Sequence, residues 1–110
     1  MVGKALVKKL STYRNYESII TRKSEIDQTN QKKVKNWMVK NNPDTIIITS
    51  ALVGGIQLNS KIPASFLYQN SMIYLNIINA AHECNCKKII FLGASCMYPK
   101  NSKQPFKEDS

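Results

Sequence analysis

The stretch "FLGASCMYPK", Phe91 to Lys100, begins as an apolar strand and ends as a loop carrying Ser95, Cys96 and Tyr98. A hydroxyl, a thiol and a phenol therefore stand together where the strand stops, at the strand end where α/β enzymes keep their chemistry. A second group of reactive types is His82, Cys84 and Cys86, with Cys96 as the nearest possible fourth ligand. His82 and Cys86 share a helical face, but Cys84 points away from it. The C-x₂-C spacing of zinc knuckles is also missing, so no metal is expected.

The elements that must position these residues follow from periodicity. Val2, Leu6 and Leu10, with Ala5 beside them, predict a helix over 2–12. "ESIIT", 17–21, reads as a short strand, and "RKSEIDQTN" as the loop after it. Thr29 or Asn30 can cap a helix over 31–41 whose apolar face is Val34, Trp37 and Met38. "DTIIITS", 44–50, is nearly continuous in apolarity, the pattern of a strand covered on both faces in a parallel sheet. "ALVGGIQLNSKI" reads as a loop. Pro63 then suits the first turn of a long helix over 63–84, with Phe66, Ile73, Ile77 and Ala80 inward. "KKIIFLG", 87–93, is a second buried strand by the same reasoning, and the tail is loop. Alternating strands and helices predict parallel pairing in an α/β domain.

Bulk composition narrows the function classes. The chain has 110 residues, 43% of them hydrophobic, which allows one domain. No apolar run approaches the roughly 18–20 residues of a membrane-spanning helix. The opening "MVGKALVKKL" lacks a signal-peptide hydrophobic block. Three cysteines do not make a closed disulfide framework, and reduced thiols fit better, so a cytoplasmic protein is expected. The formal charge of +9 would attract polyanions. The lysines at 4, 8, 9, 32, 33 and 35 fall on the polar sides of helices, however, without interleaved aromatics. They read as solvated faces rather than a nucleic-acid groove.

The blocks "MVGKAL", "ALVGGIQLNSKIPASFLYQNSMI", "NIINAAHE" and "KKIIFLGASCMYPKNSKQP" go beyond periodicity. In this order and spacing they resemble the GDP-L-fucose synthase family, NADPH-dependent epimerase/reductases of the extended short-chain dehydrogenase/reductase group. The resemblance covers essentially the whole chain. That family opens with a strand and a G-x-x-G-M-V-G turn, whose end Met1, Val2 and Gly3 match. The resemblance thus implies a partial Rossmann-like, doubly wound parallel sheet lacking its first strand. Residues 1–110 would be a partial NADP-binding domain with the substrate-binding part absent. The family's Tyr-x-x-x-Lys is also missing, because no tyrosine here has a lysine four residues on.

The same resemblance assigns roles. Cys96 matches the cysteine that exchanges protons beside the sugar keto group. Ala94 stands where the family has the serine that polarises the ketone, and Ser95 matches the next serine, a substitute donor only if the loop rotated. Met1, Val2 and Gly3, Ala51 and Leu52 after the middle strand, and Leu92, Gly93, Ala94 and Ser95 after the last one would hold NADP(H). Leu52 replaces the family's usual lysine. Asn70 would support the cofactor side. Arg22 and Lys23 follow the segment 17–21, where a basic residue accommodates the 2′-phosphate of NADP. The implied partners are a GDP-sugar substrate and, in the family, a second subunit. The alternative is a non-catalytic basic remnant that binds a polyanion or a protein.

Overall fold

Asn30 decides where the central helix pair begins. Its extended backbone lets the side-chain oxygen accept the Lys33 amide at 3.0 Å, which starts the helix over 31–41 cleanly. In a computed structural model that describes residues 1–22, 24–94, 97–99 and 101–109, α1 is Val2–Leu10 and α2 is Gln31–Asn41. Strand β1 is Thr45–Ile48, α3 is Ile56–Lys61, α4 is Pro63–Glu83 and β2 is Lys88–Phe91. The hydroxyls of Ser11 and Thr12 bond back to the carbonyls of Lys8 and Lys9, which closes α1 two residues earlier than its periodicity suggests. α2 ends at Asn42, whose left-handed backbone (φ 40°) aims its amide at the Met38 carbonyl, 2.8 Å away. Pro43 follows and prevents another turn. Pro63 sits in the first turn of α4, where its missing N–H costs no hydrogen bond.

β1 and β2 pair in parallel, with Thr45 opposite Lys88 and Ile48 opposite Phe91. The Asp44 carbonyl fixes this register by accepting the amides of Lys87 and Lys88 at 3.0 and 3.2 Å. The Cys86 thiol lies 3.3 Å from the same oxygen. α4 spans the crossover between the strands and packs along α2. Val34 and Met38 of α2, Ile77 and Ala80 of α4, Ile48 of β1 and Ile26 from the loop before α2 form the core, with Trp37, Ile46, Ile73 and Tyr74 against it. Asn76 is buried on α4 and donates to the Gln28 carbonyl at 3.1 Å, which ties the Ile26 loop to the helix.

Three expectations are corrected. Residues 17–21 form no strand, and Ile19 and Ile20 are half exposed. A strand needs a neighbour to take its amides and carbonyls, and the only ladder among the described residues joins β1 to β2. The stretch read as the loop 51–62 contains α3. Its helical signal, six residues long, is too short for periodicity to declare. Finally, the strands are not covered on both faces: β1 is buried only at Ile48, and β2 is mostly exposed. An apolar run states what a strand would bury, and not whether the covering layer is there.

Candidate functional site

Because the strands are parallel, the chain leaves both at one edge of the sheet. An open cleft of about 430 Å³ lies there. The segment from Thr49 to Val53 lines it after β1, and Leu92, Gly93 and Ala94 line it after β2. Asn70 and Tyr74 enter from α4, and Val2 from the start of α1. Among the described residues no charged side chain lines it. Its electrostatic bias comes from backbone. Met1 supplies no side-chain cap to α1, and the first amide bonded to it is that of Ala5, at 3.2 Å from the Met1 carbonyl. The first-turn amides of a helix lack intrahelical partners and carry about half a positive charge, which favours an anion.

Side chains hold the rim in place. A Cβ on Gly3 would lie 3.0 Å from the Thr49 hydroxyl oxygen, so glycine lets α1 approach the end of β1. Asn70 Oδ1 accepts the Leu52 amide at 2.7 Å, and its Nδ2 donates to the Leu52 carbonyl at 3.1 Å. One carboxamide thus satisfies both main-chain groups of one residue, which also fixes which way the amide points. Asn59 Nδ2 donates to the carbonyls of Gly54 and Gly55 at 2.9 and 3.2 Å. A Cβ on Gly54 would come within 2.8 Å of Leu58 Cδ2 and 2.9 Å of Phe66 Cζ, so α3 and α4 close directly over that glycine. On the other side the rings of Tyr74 and Phe91 meet edge to face, 4.7 Å between centroids.

The cleft therefore gathers Val2, Ala51, Leu52, Asn70, Leu92, Gly93 and Ala94 of the residues expected from the sequence, with Gly3 packed behind them and Met1 exposed at the tip of α1. Arg22 is not among its lining residues. Its guanidinium lies 3.4 Å from Glu25 Oε1, and its amide bonds the other oxygen of the same carboxylate at 3.2 Å. Lys23, Ser95 and Cys96 lie outside the described residues. Tyr98 stacks on Phe106 with centroids 4.8 Å apart. Tyr74 and Thr49 are lining residues that sequence reasoning passed over. Tyr74 was legible, because it follows Asn70 by one helical turn on the same face.

The perturbed charges lie elsewhere. Lys35 of α2 and Glu83 of α4 meet at 2.8 Å. That hydrogen bond, joined by one from Asn79, holds the Glu83 carboxyl below its ordinary range and raises Lys35 above its own. Asp44 raises Lys87 similarly across 2.7 Å. Among the described residues no three His, Cys, Asp or Glu side chains converge to hold a metal ion. No described helix is long and apolar enough to cross a membrane.

Comparison with known proteins places this geometry. Residues 1–110 match the NAD dependent epimerase/dehydratase family. The chain is 39% identical over 108 residues to a GDP-L-fucose synthase of Escherichia coli, covering 98% of this chain and 34% of that protein. It is 36% identical over 110 residues to the GDP-L-fucose synthase of Sinorhizobium fredii, all of this chain and 35% of that one. It therefore spans about a third of the length of these relatives. Among solved structures, a GDP-mannoheptose C4 reductase from Campylobacter jejuni with NADP bound superposes with a TM-score of 0.89 at 34% identity, over 97% of this chain and 34% of that chain. A GDP-D-glycero-L-gluco-heptose synthase from the same organism, solved in the presence of NADPH, gives 0.89 at 33% identity, over 97% of this chain and 31% of that one.

Proposed function

The chain belongs to the NAD dependent epimerase/dehydratase family, and from that premise we propose that its cleft is the NADP(H)-binding part of a nucleotide-sugar epimerase/reductase. The observation that carries this reading is the cleft itself. Its described lining residues carry no charge, it lies at the carboxyl ends of parallel strands, and the first turn of α1 opens onto it. That is the combination a dinucleotide needs: apolar walls for the rings and a helix N-terminus for the pyrophosphate. The residue match to GDP-L-fucose synthases favours GDP-4-keto-6-deoxy-D-mannose as substrate and GDP-L-fucose as product, through epimerisation at C3 and C5 and reduction at C4.

Bound NADPH supplies the hydride in this reading. The chain's own residues do the rest that falls within 110 positions. The first-turn amides of α1 take the pyrophosphate, and the peptides around Ala51–Leu52 and Leu92–Ala94 line the rings. Arg22 and Lys23 answer the 2′-phosphate, for which Arg22 must leave Glu25, a surface contact of small worth. Cys96, as thiolate, moves the proton at the carbons beside the keto group. Ala94 lines the cleft but offers only a methyl group where the family's serine donates to the ketone. Losing one such donor typically costs about 10²–10³ in rate.

Titrating the chain with NADPH and NADH, followed by nucleotide fluorescence, tests the reading. NADPH is expected to bind more tightly than NADH. Binding of single-stranded nucleic acid with a steep salt dependence, and of neither nucleotide, would replace it with the polyanion reading that the +9 charge favours.

A further inference from the structure

α4 touches both strand ends that flank the cleft, and it does so through two side chains one helical turn apart. Asn70 grips the Leu52 peptide after β1, at 2.7 and 3.1 Å. Tyr74 sets its ring edge to face against Phe91, the last residue of β2, at 4.7 Å. Leu52 and Phe91 both line the cleft, as do Asn70 and Tyr74 themselves. The strands offer little other control there. Their ladder ends at Ile48 and Phe91, and beyond it no strand pairing among the described residues fixes how far apart the two segments stand.

We infer that Asn70 and Tyr74 are positioning residues that brace the cleft, setting the distance between its two walls before the nicotinamide nucleotide enters. The inference rests on the NADP(H) reading of the cleft and adds how the cleft is kept open and in register. With the Leu52 N–H and the Leu52 C=O both bonded to one carboxamide, the peptide groups on either side of Leu52 are held, so the Leu52 wall is preset rather than recruited by the ligand. The ring contact does the same for the other wall, since an edge-to-face pair favours one relative orientation. A preset site saves the ordering entropy that a loose rim would lose on binding.

The test reads the brace and the ligand separately. In the unsubstituted chain the Leu52 amide is expected to exchange with solvent at least about tenfold more slowly than an open loop amide, because it is hydrogen-bonded. Asn70→Ala should abolish that protection while amides in the middle of α4 keep theirs, and should weaken NADPH binding about tenfold. Asn70→Asp keeps the acceptor for the Leu52 amide and loses the donor to its carbonyl, so it should retain protection at Leu52. It serves as the control against simple unfolding. Tyr74→Phe keeps the ring and should bind NADPH within about twofold of the parent, whereas Tyr74→Leu should not. Free exchange at Leu52 in the parent, or NADPH affinity unchanged by both Asn70→Ala and Tyr74→Leu, overturns the brace. Failure of the parent to bind NADPH while Leu52 remains protected overturns the ligand reading and the nucleotide half of this inference, and leaves the clamp on Leu52 established.

Discussion

Gly54 and Gly55 are neighbours of the same type in one loop, yet the space around them differs. A methyl on Gly54 would meet Leu58 at 2.8 Å and the ring tip of buried Phe66 at 2.9 Å, whereas nothing lies within 4 Å of one on Gly55. The Leu58 methyl can swing aside, but the Phe66 ring is buried. Gly54→Ala is therefore expected to destabilise the fold by about 1–3 kcal/mol, the usual cost of overpacking. Gly55 is the N-cap of α3 with extended backbone, so Gly55→Ser should be tolerated and should gain roughly a few tenths of a kcal/mol by capping. Urea denaturation of the two variants checks both. Equal midpoints would mean that the loop does not pack as described. Neither difference is visible in the letters "GG", because it depends on which helix lies overhead.

The helices were legible where a local signal and the core agreed. Asn30, the apolar face Val34, Trp37 and Met38, and Pro63 all stand where their types demand, because capping, helical spacing and a preset φ act within one or two turns. Residues 17–21 and the covering of the strands were not legible, since a strand's existence and burial depend on neighbours distant in sequence. For the site, Val2, Ala51, Leu52, Asn70, Leu92, Gly93 and Ala94 line the cleft and Arg22 does not; the helical spacing of Tyr74 to Asn70 was readable, while the Asn59 clamp needed the fold to be seen. Two predictions belong to the α2–α4 pair. Asn30→Ala should cost about 1 kcal/mol, and Asn30→Asp should cost little, since a carboxylate caps and suits a helix N-terminus. The second concerns acid. Glu83 has its folded pKa below its ordinary 4.5 because Lys35 and Asn79 donate to it. The unfolded chain then binds more protons in the acid range, so the stabilisation holds above that range and is lost as pH falls through the folded pKa. Lys35, raised above 10.5 by the same contact, gives the mirror loss as pH rises through its own folded pKa. Both carboxylate and ammonium are solvent-exposed, so the effect is small and salt-screened. Stability against pH should lose this component in Glu83→Gln, and an unchanged acid limb in that variant would remove the pair from the account.

At the scale of the whole molecule the chain is more open than its size requires. Its accessible surface is 9316 Å², against about 6,200 Å² for a compact monomer of this mass. Its radius of gyration is 15.8 Å, against about 13 Å for a globule of this length. Leu67, Leu75, Ile78, Ile89 and Phe91 are among the large apolar side chains left exposed. A two-stranded sheet is marginal by itself, and unpaired edges invite association. The 110-residue chain should therefore melt over a broad range, bind a hydrophobic dye before it melts, and associate as its concentration rises. Calorimetry, dye fluorescence and sedimentation read these three, and a sharp two-state melt by a monomer would contradict all of them. The same openness bears on chemistry. Reduction of a ketone needs a proton donor beside the hydride, and among these 110 residues neither a Tyr-x-x-x-Lys pair nor a serine at position 94 provides it. Supplying the chain with NADPH and GDP-4-keto-6-deoxy-D-mannose should give no nucleotide oxidation above background. Ala94→Ser should not restore it, because the tyrosine–lysine pair would still be missing. Turnover in Ala94→Ser alone would show that the hydroxyl was the one part lacking. Turnover in the parent would mean that Ser95 or another donor already does its work.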